Sequence, residues 1–138
     1  MACATDKFTI LTQGFDDLID ITSKVQDVIS SFDVVNGIVN ISVLSSTASI
    51  ITLEQEPGLV LDLPNILENI VPINKVYQHD SSWHDGNANA HIKAALLGNS
   101  LNLSVVDGKI ALSTWQRIVL IDFDNKSTNR QIVVNVAF

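Results

Sequence analysis

The sequence is poor in the residues that mark several large classes of protein. Its 138 residues include one cysteine, one methionine and three prolines, and aromatic residues make up only 6% of the chain. A lone cysteine, Cys3, cannot form an internal disulfide. The first residues also lack the basic and then apolar pattern of a signal peptide. We therefore expect a cytoplasmic protein.

Long apolar runs and positive charge are also scarce. Hydrophobic residues make up 46% of the chain, yet uninterrupted apolar runs stay far below the roughly 20 residues that span a bilayer. Lys and Arg number 8 against 15 Asp and Glu, a net charge of -7, whereas nucleic-acid binding depends on clustered cations. The sequence predicts a soluble protein without a membrane or nucleic-acid partner. So much aliphatic surface on a short chain favours self-association.

Short apolar segments separated by turn signals predict a single α+β domain over residues 1–138. No low-complexity tract, linker or internal repeat marks a boundary. The predicted strands outnumber the helices and are joined by short turns, which favours a mostly antiparallel sheet packed with two or three helices over a parallel, doubly wound one. Strands are predicted at 7–13, 38–43, 49–53, 101–106, 110–112, 118–122 and 131–136, with 49–53 continuing or pairing with 38–43.

Helical patterns occur at three places. Asp16 is expected to cap a first helix whose apolar positions run from Leu18 to Ile29 at spacings of three and four. A second is predicted over 59–70, where Pro64 is tolerated only near the first turn. The third, over 87–97, is rich in Ala and Leu and apolar nearly all round. A helix of that kind is normally buried.

All three histidines, His79, His84 and His91, lie between positions 79 and 91. Imidazole is a common metal ligand and a natural acid or base, and neighbouring carboxylates such as Asp80 and Asp85 can orient the rings. The spacing differs from the paired histidines of zinc proteases, so a shared site would form only through folding. The structural alternative has both carboxylates as loop caps. In that alternative His84 is solvated and His91 is a hydrogen-bonded core histidine.

Cationic and aromatic residues near the histidines could bind an anion. His91 and Lys93 interrupt the predicted buried helix, so their polar groups need partners, and a lysine near a helix N-terminus suits an anion. Arg117 could bind phosphate or carboxylate bidentately or be a solvated strand residue, and Trp115 could be a core residue. No glycine-rich phosphate loop, nucleophile elbow, cysteine pair or HExxH helix is present, so no nucleotide cofactor is expected.

Five segments occur in the order and at the intervals of one known family. They are EQEPGL at 54–59, VP at 71–72, YQHD at 77–80, GNANAHIKAALLGNS at 86–100 and TWQ at 114–116. Together they resemble the YjbQ-like family, the so-called secondary thiamine-phosphate synthases, over well more than half of the chain. The resemblance implies an α+β fold with a sandwich-like sheet and a compact homotrimer. It also implies a polar pocket around the family histidines that could hold a divalent metal ion, zinc or magnesium.

The resemblance further implies an activity that joins hydroxymethylpyrimidine diphosphate to thiazole phosphate, giving thiamine phosphate and pyrophosphate. A divalent cation and cationic side chains would stabilise the departing diphosphate. His79 and His91 are the matched candidates for metal binding or acid–base work. Lys93 is expected beside them as a catalytic cation. The residues expected to contact substrate are Asp80, Asn87, Thr114, Trp115, Gln116 and Arg117.

Three positions depart from the family pattern. Ser45 stands where the family has the histidine of an HTTA segment, Leu53 replaces an asparagine, and Ser113 replaces the glycine before TWQ. Serine is a weak neutral ligand for zinc, so metal binding should be weakened. His84 could compensate for the missing imidazole.

Two functions follow from this pattern. The first is a thiamine-phosphate synthase of weak activity that uses His79, His91 and Lys93 in a pocket near Trp115. The alternative is a non-catalytic homotrimeric protein that binds an anion or another small ligand and has lost its metal.

Overall fold

The computed structural model describes all residues from 1 to 138. The chain forms eight strands and four helices. In chain order they are β1 Cys3–Thr12, β2 Asp17–Asp20, α1 Thr22–Ser31, β3 Gly37–Val43, β4 Ala48–Glu54, α2 Pro57–Ile70, α3 Gln78–Trp83, α4 Ala88–Leu97, β5 Ser100–Val106, β6 Lys109–Ile110, β7 Gln116–Asp122 and β8 Thr128–Ala137.

The strands form two antiparallel sheets. The larger sheet has five strands in the order β1-β8-β3-β5-β6, and the smaller has three in the order β2-β7-β4. Side chains from both sheets meet in one core, where Val39 and Ile132 of the larger sheet join Ile50 and Leu120 of the smaller. Helix α1 adds Val25 to the same core. The predicted single-domain, sandwich-like α+β architecture is confirmed.

Strand β8 shows how period-two alternation positions the core. Ile132, Val134 and Val136 are fully buried and alternate with partly or fully exposed residues. Arg130 occupies the same face of the strand and is only 8% exposed. Because successive side chains of a strand point to opposite faces, Arg130 is directed into the protein and must find buried partners.

Helices α2 and α4 cover the outer face of the smaller sheet. Leu67 of α2 and Ala90 and Ala94 of α4 pack with Val119 and Ile121 of β7 in a second apolar cluster. These contacts position α4, the helix that contains His91. No helix of the protein is long and apolar enough to cross a membrane.

The prediction that Asp16 caps the first helix is wrong. The three residues at 14–16 all have positive φ and form a tight turn. Strand β2 follows and pairs with the central strand β7, with Leu18 opposite Ile121. Pairing with a buried strand overrides the helical spacing of the apolar residues. Helix α1 therefore begins only at Thr22.

Three further elements differ from the sequence-based expectations. Strand β4, predicted to continue or pair with residues 38–43, instead pairs with β7 in the other sheet. Helix α2 begins at Pro57, because the Glu56 carboxylate accepts hydrogen bonds from two backbone N–H groups and proline fits the first helical position. Pro64 consequently lies inside this helix rather than in its first turn. Helix α3 was not predicted and brings the helices to four.

Candidate functional site

Folding brings His79 of α3 and His91 of α4 side by side. Their ring centroids lie 4.8 Å apart and the ring planes are tilted by 49°. Two imidazoles that bind one tetrahedral zinc ion through nitrogens about 2.0–2.1 Å from it have ring centroids roughly 5 Å apart. The two rings are therefore close enough to act on the same ion or ligand.

Asp80 connects the two histidine helices. Its Oδ1 lies 3.2 Å from Nδ1 of His79 and accepts a 3.0 Å hydrogen bond from the N–H of Ala88, the first residue of α4. A carboxylate on Nδ1 orients the ring and leaves Nε2 available for a ligand or a proton. Asp80 therefore caps the start of α4, in line with the alternative in which it is a structural cap, and it also orients the ring of His79.

Two open cavities share His91. The first, of about 340 Å³, is lined by Ser45, Ser46 and Gly98 among others, and we call it the Ser45 cavity. The second, of about 320 Å³, is lined by Tyr77 and His79 among others, and we call it the Tyr77 cavity. Ser45 is half-buried. Ser45, which is expected to stand at the position of a family histidine, therefore shares a cavity with His91.

Lys93 lies on the other side of α4 from His91. Residues two positions apart on a helix point about 200° away from each other, and Lys93 lines neither cavity. Its side chain is 1% exposed, and Nζ is 3.3 Å from Oε2 of Glu68 in α2. Burial raises the pKa of nearby Asp16, an effect that the Lys93 ammonium opposes and Glu68 reinforces. The expectation that Lys93 lies beside the two imidazoles does not hold within the chain.

The TWQ segment lies at the opposite end of the smaller sheet. Gln116 begins β7 opposite Glu54, whereas Asp122 ends it opposite Ala48, which lines the Ser45 cavity. The six residue steps of β7 span about 20 Å at roughly 3.4 Å per residue. Trp115 is 73% exposed and lines a separate cavity of about 370 Å³ with Gln116. A pocket shared by Trp115 and the histidines does not exist within one chain.

The structure also bears on the alternatives predicted for Trp115 and Arg117. Trp115 and Thr114 are exposed, so the alternative that the indole is a core residue is wrong. Arg117 is paired, because its Nε donates a 2.7 Å hydrogen bond to Oδ2 of Asp20. Burial raises the pKa of Asp20, but hydrogen bonds from Thr22 and Arg117 outweigh it and hold that pKa below its usual value.

The remaining candidates of the histidine segment, His84, Asp85 and Asn87, line neither of the two cavities. His84 is exposed and ends α3 in the left-handed conformation, and it lines no cavity. The backbone carbonyl of Asp85 accepts a hydrogen bond from Asn125. The side-chain nitrogen of Asn87 donates to Asp124, while its Oδ1 is buried without a hydrogen-bond partner. That oxygen therefore lacks the partner that buried polar atoms normally have.

A buried ion cluster lies behind the Ser45 cavity, and no sequence motif pointed to it. Arg130 donates to Asp122 through Nε at 2.6 Å and Nη2 at 3.0 Å, and Nη2 also donates to Oγ1 of Thr47 at 2.8 Å. Asp124 completes this Arg130 cluster at 3.4 Å. Burial raises the pKa of Asp124, but the hydrogen bonds it accepts and the Arg130 charge hold that pKa below its usual value. The same bonds to Asp122 raise the pKa of Arg130.

The donor set fits a weakly held metal ion at most. No group of three or more His, Cys, Asp or Glu side chains is arranged to hold one. His79 and His91 offer two imidazoles, whereas the hydroxyl of Ser45 already accepts a hydrogen bond from the N–H of Thr47 at 3.0 Å. Zinc sites normally use three or four protein ligands. A divalent ion here would need water or a ligand to complete its coordination.

Comparison with known sequences identifies relatives over the whole domain. The profile of the family described as UPF0047 protein YjbQ-like matches residues 6–137. A UPF0047 protein of Archaeoglobus fulgidus is 41% identical over 127 residues, which cover 92% of this chain and 97% of that protein. A UPF0047 protein of Methanothermobacter thermautotrophicus is 38% identical over 137 residues, with coverages of 99% and 94%.

Solved structures of the same fold support this assignment. A YbjQ-like protein of unknown function from Sulfolobus solfataricus has a TM-score of 0.88 and 30% identity over 98% of both chains. An uncharacterised YjbQ/UPF0047 protein from Clostridium acetobutylicum has a TM-score of 0.87 and 30% identity, covering 96% of this chain and 99% of its own. The resemblance inferred from the motifs is confirmed, and the chain belongs to the UPF0047, YjbQ-like family.

Proposed function

We propose that the protein binds a small anionic or phosphorylated ligand at His79 and His91 and does not catalyse thiamine-phosphate synthesis. The observation behind this proposal is the 4.8 Å separation of the two rings beside open cavities. Protonated imidazoles donate hydrogen bonds to anions. The small residues Ser46 and Gly98 leave room for a phosphate-sized group in the Ser45 cavity.

The cations of the chain argue for binding rather than catalysis. Release of pyrophosphate requires stabilisation of several negative charges by metal ions or cationic side chains. Lys93 is engaged with Glu68, and Arg117 with Asp20. Ser45 replaces the third family imidazole, so the site also offers less to a metal ion.

The second candidate is a thiamine-phosphate synthase of low activity. Asp80 on Nδ1 of His79 is the arrangement that prepares an imidazole for general acid or base catalysis. In this candidate a zinc or magnesium ion bound by His79 and His91 would stabilise the departing pyrophosphate. Formation of thiamine phosphate from the two heterocyclic substrates, measured by chromatography with each metal, tests this candidate directly.

Replacing His91 by alanine tests the binding site. Calorimetric titration with pyrophosphate, with and without zinc, should show binding to the wild type and a loss of affinity of roughly tenfold or more in His91→Ala, since charge-assisted contacts are among the stronger hydrogen bonds. His84→Ala is the matched control, because His84 is exposed and lines no cavity, and it should bind like the wild type. Equal affinity in all three proteins would contradict the proposal.

We also propose that the chain forms a homotrimer through the outer faces of α2 and α4. Contiguous exposed apolar surface marks interaction sites, and Leu67 is the only buried residue among the fourteen of α2. The exposed sides of the two helices carry large apolar residues. They are Ile66 and Ile70 of α2 and Ile92 and Leu96 of α4, each at least 40% exposed.

A charge placed on this face should separate the subunits. Light scattering of the wild type should give about 45 kDa, three times the 15.0 kDa of the chain, and Ile66→Glu should give monomers because burying an unpaired carboxylate is costly. Val35→Glu changes an equally exposed apolar residue outside this face and should leave the trimer intact. A monomeric wild type would rule out the proposal.

The cytoplasm is the proposed compartment. Cys3 is the only cysteine of the chain and is a free, exposed thiol. Cytosolic redox buffers keep such thiols reduced, so this feature favours the cytoplasm over an oxidising compartment.

A further inference from the structure

The Ser45 cavity has two walls that belong to different parts of the fold. One wall is the segment before β4, with Ser45 and Ser46, and the other is α4, with His91. Nothing in the chain sequence links these segments directly. Their relative position therefore depends on tertiary contacts, which include the 3.3 Å hydrogen bond from the Ser49 hydroxyl to the Ala94 carbonyl and the contacts made behind the cavity.

Thr47 anchors the first wall. Its backbone N–H donates to Oγ of Ser45 at 3.0 Å, and the two hydroxyl oxygens lie 3.2 Å apart. The Thr47 hydroxyl in turn accepts a 2.8 Å hydrogen bond from Nη2 of Arg130 and lies 3.1 Å from Oδ2 of Asp124, to which it donates. Thr47 is 5% exposed, so these contacts are shielded from water and keep most of their strength.

Asp124 anchors the second wall. Its Oδ1 accepts a 3.2 Å hydrogen bond from the side chain of Asn87. Asn87 immediately precedes α4, and its carbonyl accepts the backbone N–H of His91 at 3.3 Å. Oδ2 of the same carboxylate is 3.4 Å from Arg130. The start of the helix is thus attached to the guanidinium that also binds Thr47.

We infer that Arg130 is a positioning residue for the ligand site, holding Ser45 on one wall through Thr47 and His91 on the other through Asp124 and Asn87. The inference rests on the proposed function of the His79 and His91 site. A guanidinium is suited to this role because its rigid fork of donors can bind several acceptors in fixed directions, which an ammonium group cannot do.

Two buried threonines allow this role to be separated from general stability. Thr12 and Thr47 both contact the Arg130 cluster through their hydroxyls, and both are at most 5% exposed. The Thr12 hydroxyl donates to the Asp122 carboxylate and also lies 3.1 Å from the Thr128 carbonyl oxygen. Only Thr47 also forms a hydrogen bond with Ser45. Valine in place of either removes one buried hydroxyl at nearly constant volume.

The experiment compares Thr47→Val with Thr12→Val in the full chain. Long-range proton–nitrogen NMR spectra report the ring nitrogens of His79 and His91, with exposed His84 as an internal reference. Calorimetry reports pyrophosphate affinity. Thr47→Val removes both the acceptor of Arg130 and the donor to Asp124, which anchors the His91 wall. It should therefore shift the His91 ring signals and weaken pyrophosphate binding roughly tenfold, because partners behind a ligand typically change affinity by 10- to 100-fold. Thr12→Val should change neither, although both variants melt at lower temperature.

The outcomes separate the inference from the proposed function. Ring shifts in Thr47→Val alone, without pyrophosphate binding to any protein, would support the positioning role and reject the ligand. Equal ring shifts in both variants, or none in either, would overturn the positioning role. If Thr47→Val does not fold, Arg130→Lys replaces it, since lysine keeps the charge beside Asp122 but loses the fork to Thr47, and the same shifts are expected.

Discussion

Replacing Asp122 by alanine is expected to lower the free energy of unfolding by about 3–5 kcal/mol, because removing one partner of a buried ion pair leaves the other charge uncompensated. Asp122 is fully buried and accepts two hydrogen bonds from Arg130. It also accepts from the hydroxyl of Thr12 and the N–H of Asp124. Without this carboxylate, the nearest acid to the guanidinium is Asp124, at 3.4 Å.

Urea unfolding at one fixed protein concentration measures this loss, since self-association would otherwise shift the transition. Arg117→Ala is the comparison, because it breaks an arginine–aspartate pair that is partly exposed on both sides. Exposed pairs contribute about 0–1 kcal/mol. An Asp122→Ala variant no less stable than Arg117→Ala would show that the Arg130 cluster adds little to folding.

The strands of the antiparallel sheets could be predicted because they follow simple alternation. In β8 the buried positions Ile132, Val134 and Val136 are separated by single residues, which is the pattern of a strand with one face on a core. The strands predicted at 101–106 and 110–112, which are separated by a short turn, likewise correspond to the hairpin of β5 and β6. The residues around Leu18 were assigned to a helix because their apolar spacing fits one. Pairing with β7, a long-range contact, decided otherwise.

The histidine site could be predicted only in part. The motif order indicated that His79 and His91 belong together, but it did not show on which side of α4 each polar residue lies. Helix geometry contains that information, since His91 and Lys93 are two positions apart and point in nearly opposite directions. The Arg130 cluster could also have been inferred from the sequence. Arg130 precedes Ile132 by two residues and so lies on the buried face of β8, which predicts a buried cation.

Replacing Ser45 by histidine is expected to strengthen zinc binding by at least roughly 100-fold, since even residues behind the metal ligands change affinity by 10- to 100-fold. Ser45 lines the same cavity as His91, so an imidazole at this position would add a third nitrogen to the two already paired. Three protein ligands and one open position are the usual set of a catalytic zinc site. Zinc content after dialysis, followed by competition with a chelator, measures the gain.

If residue 45 and the two histidines form one zinc site, the gain in zinc affinity must depend on the imidazoles of His79 and His91. The double variant Ser45→His with His91→Ala should therefore lose most of the added affinity, whereas Ser45→His with His84→Ala should keep it. The substitution also removes the acceptor of the Thr47 N–H, a loss of about 1 kcal/mol in stability that leaves the fold intact. Unchanged zinc content in Ser45→His would mean that residue 45 does not face the histidines. If the Ser45→His variant gains thiamine-phosphate formation together with zinc, then Ser45 is the reason for the inactivity proposed for the natural chain.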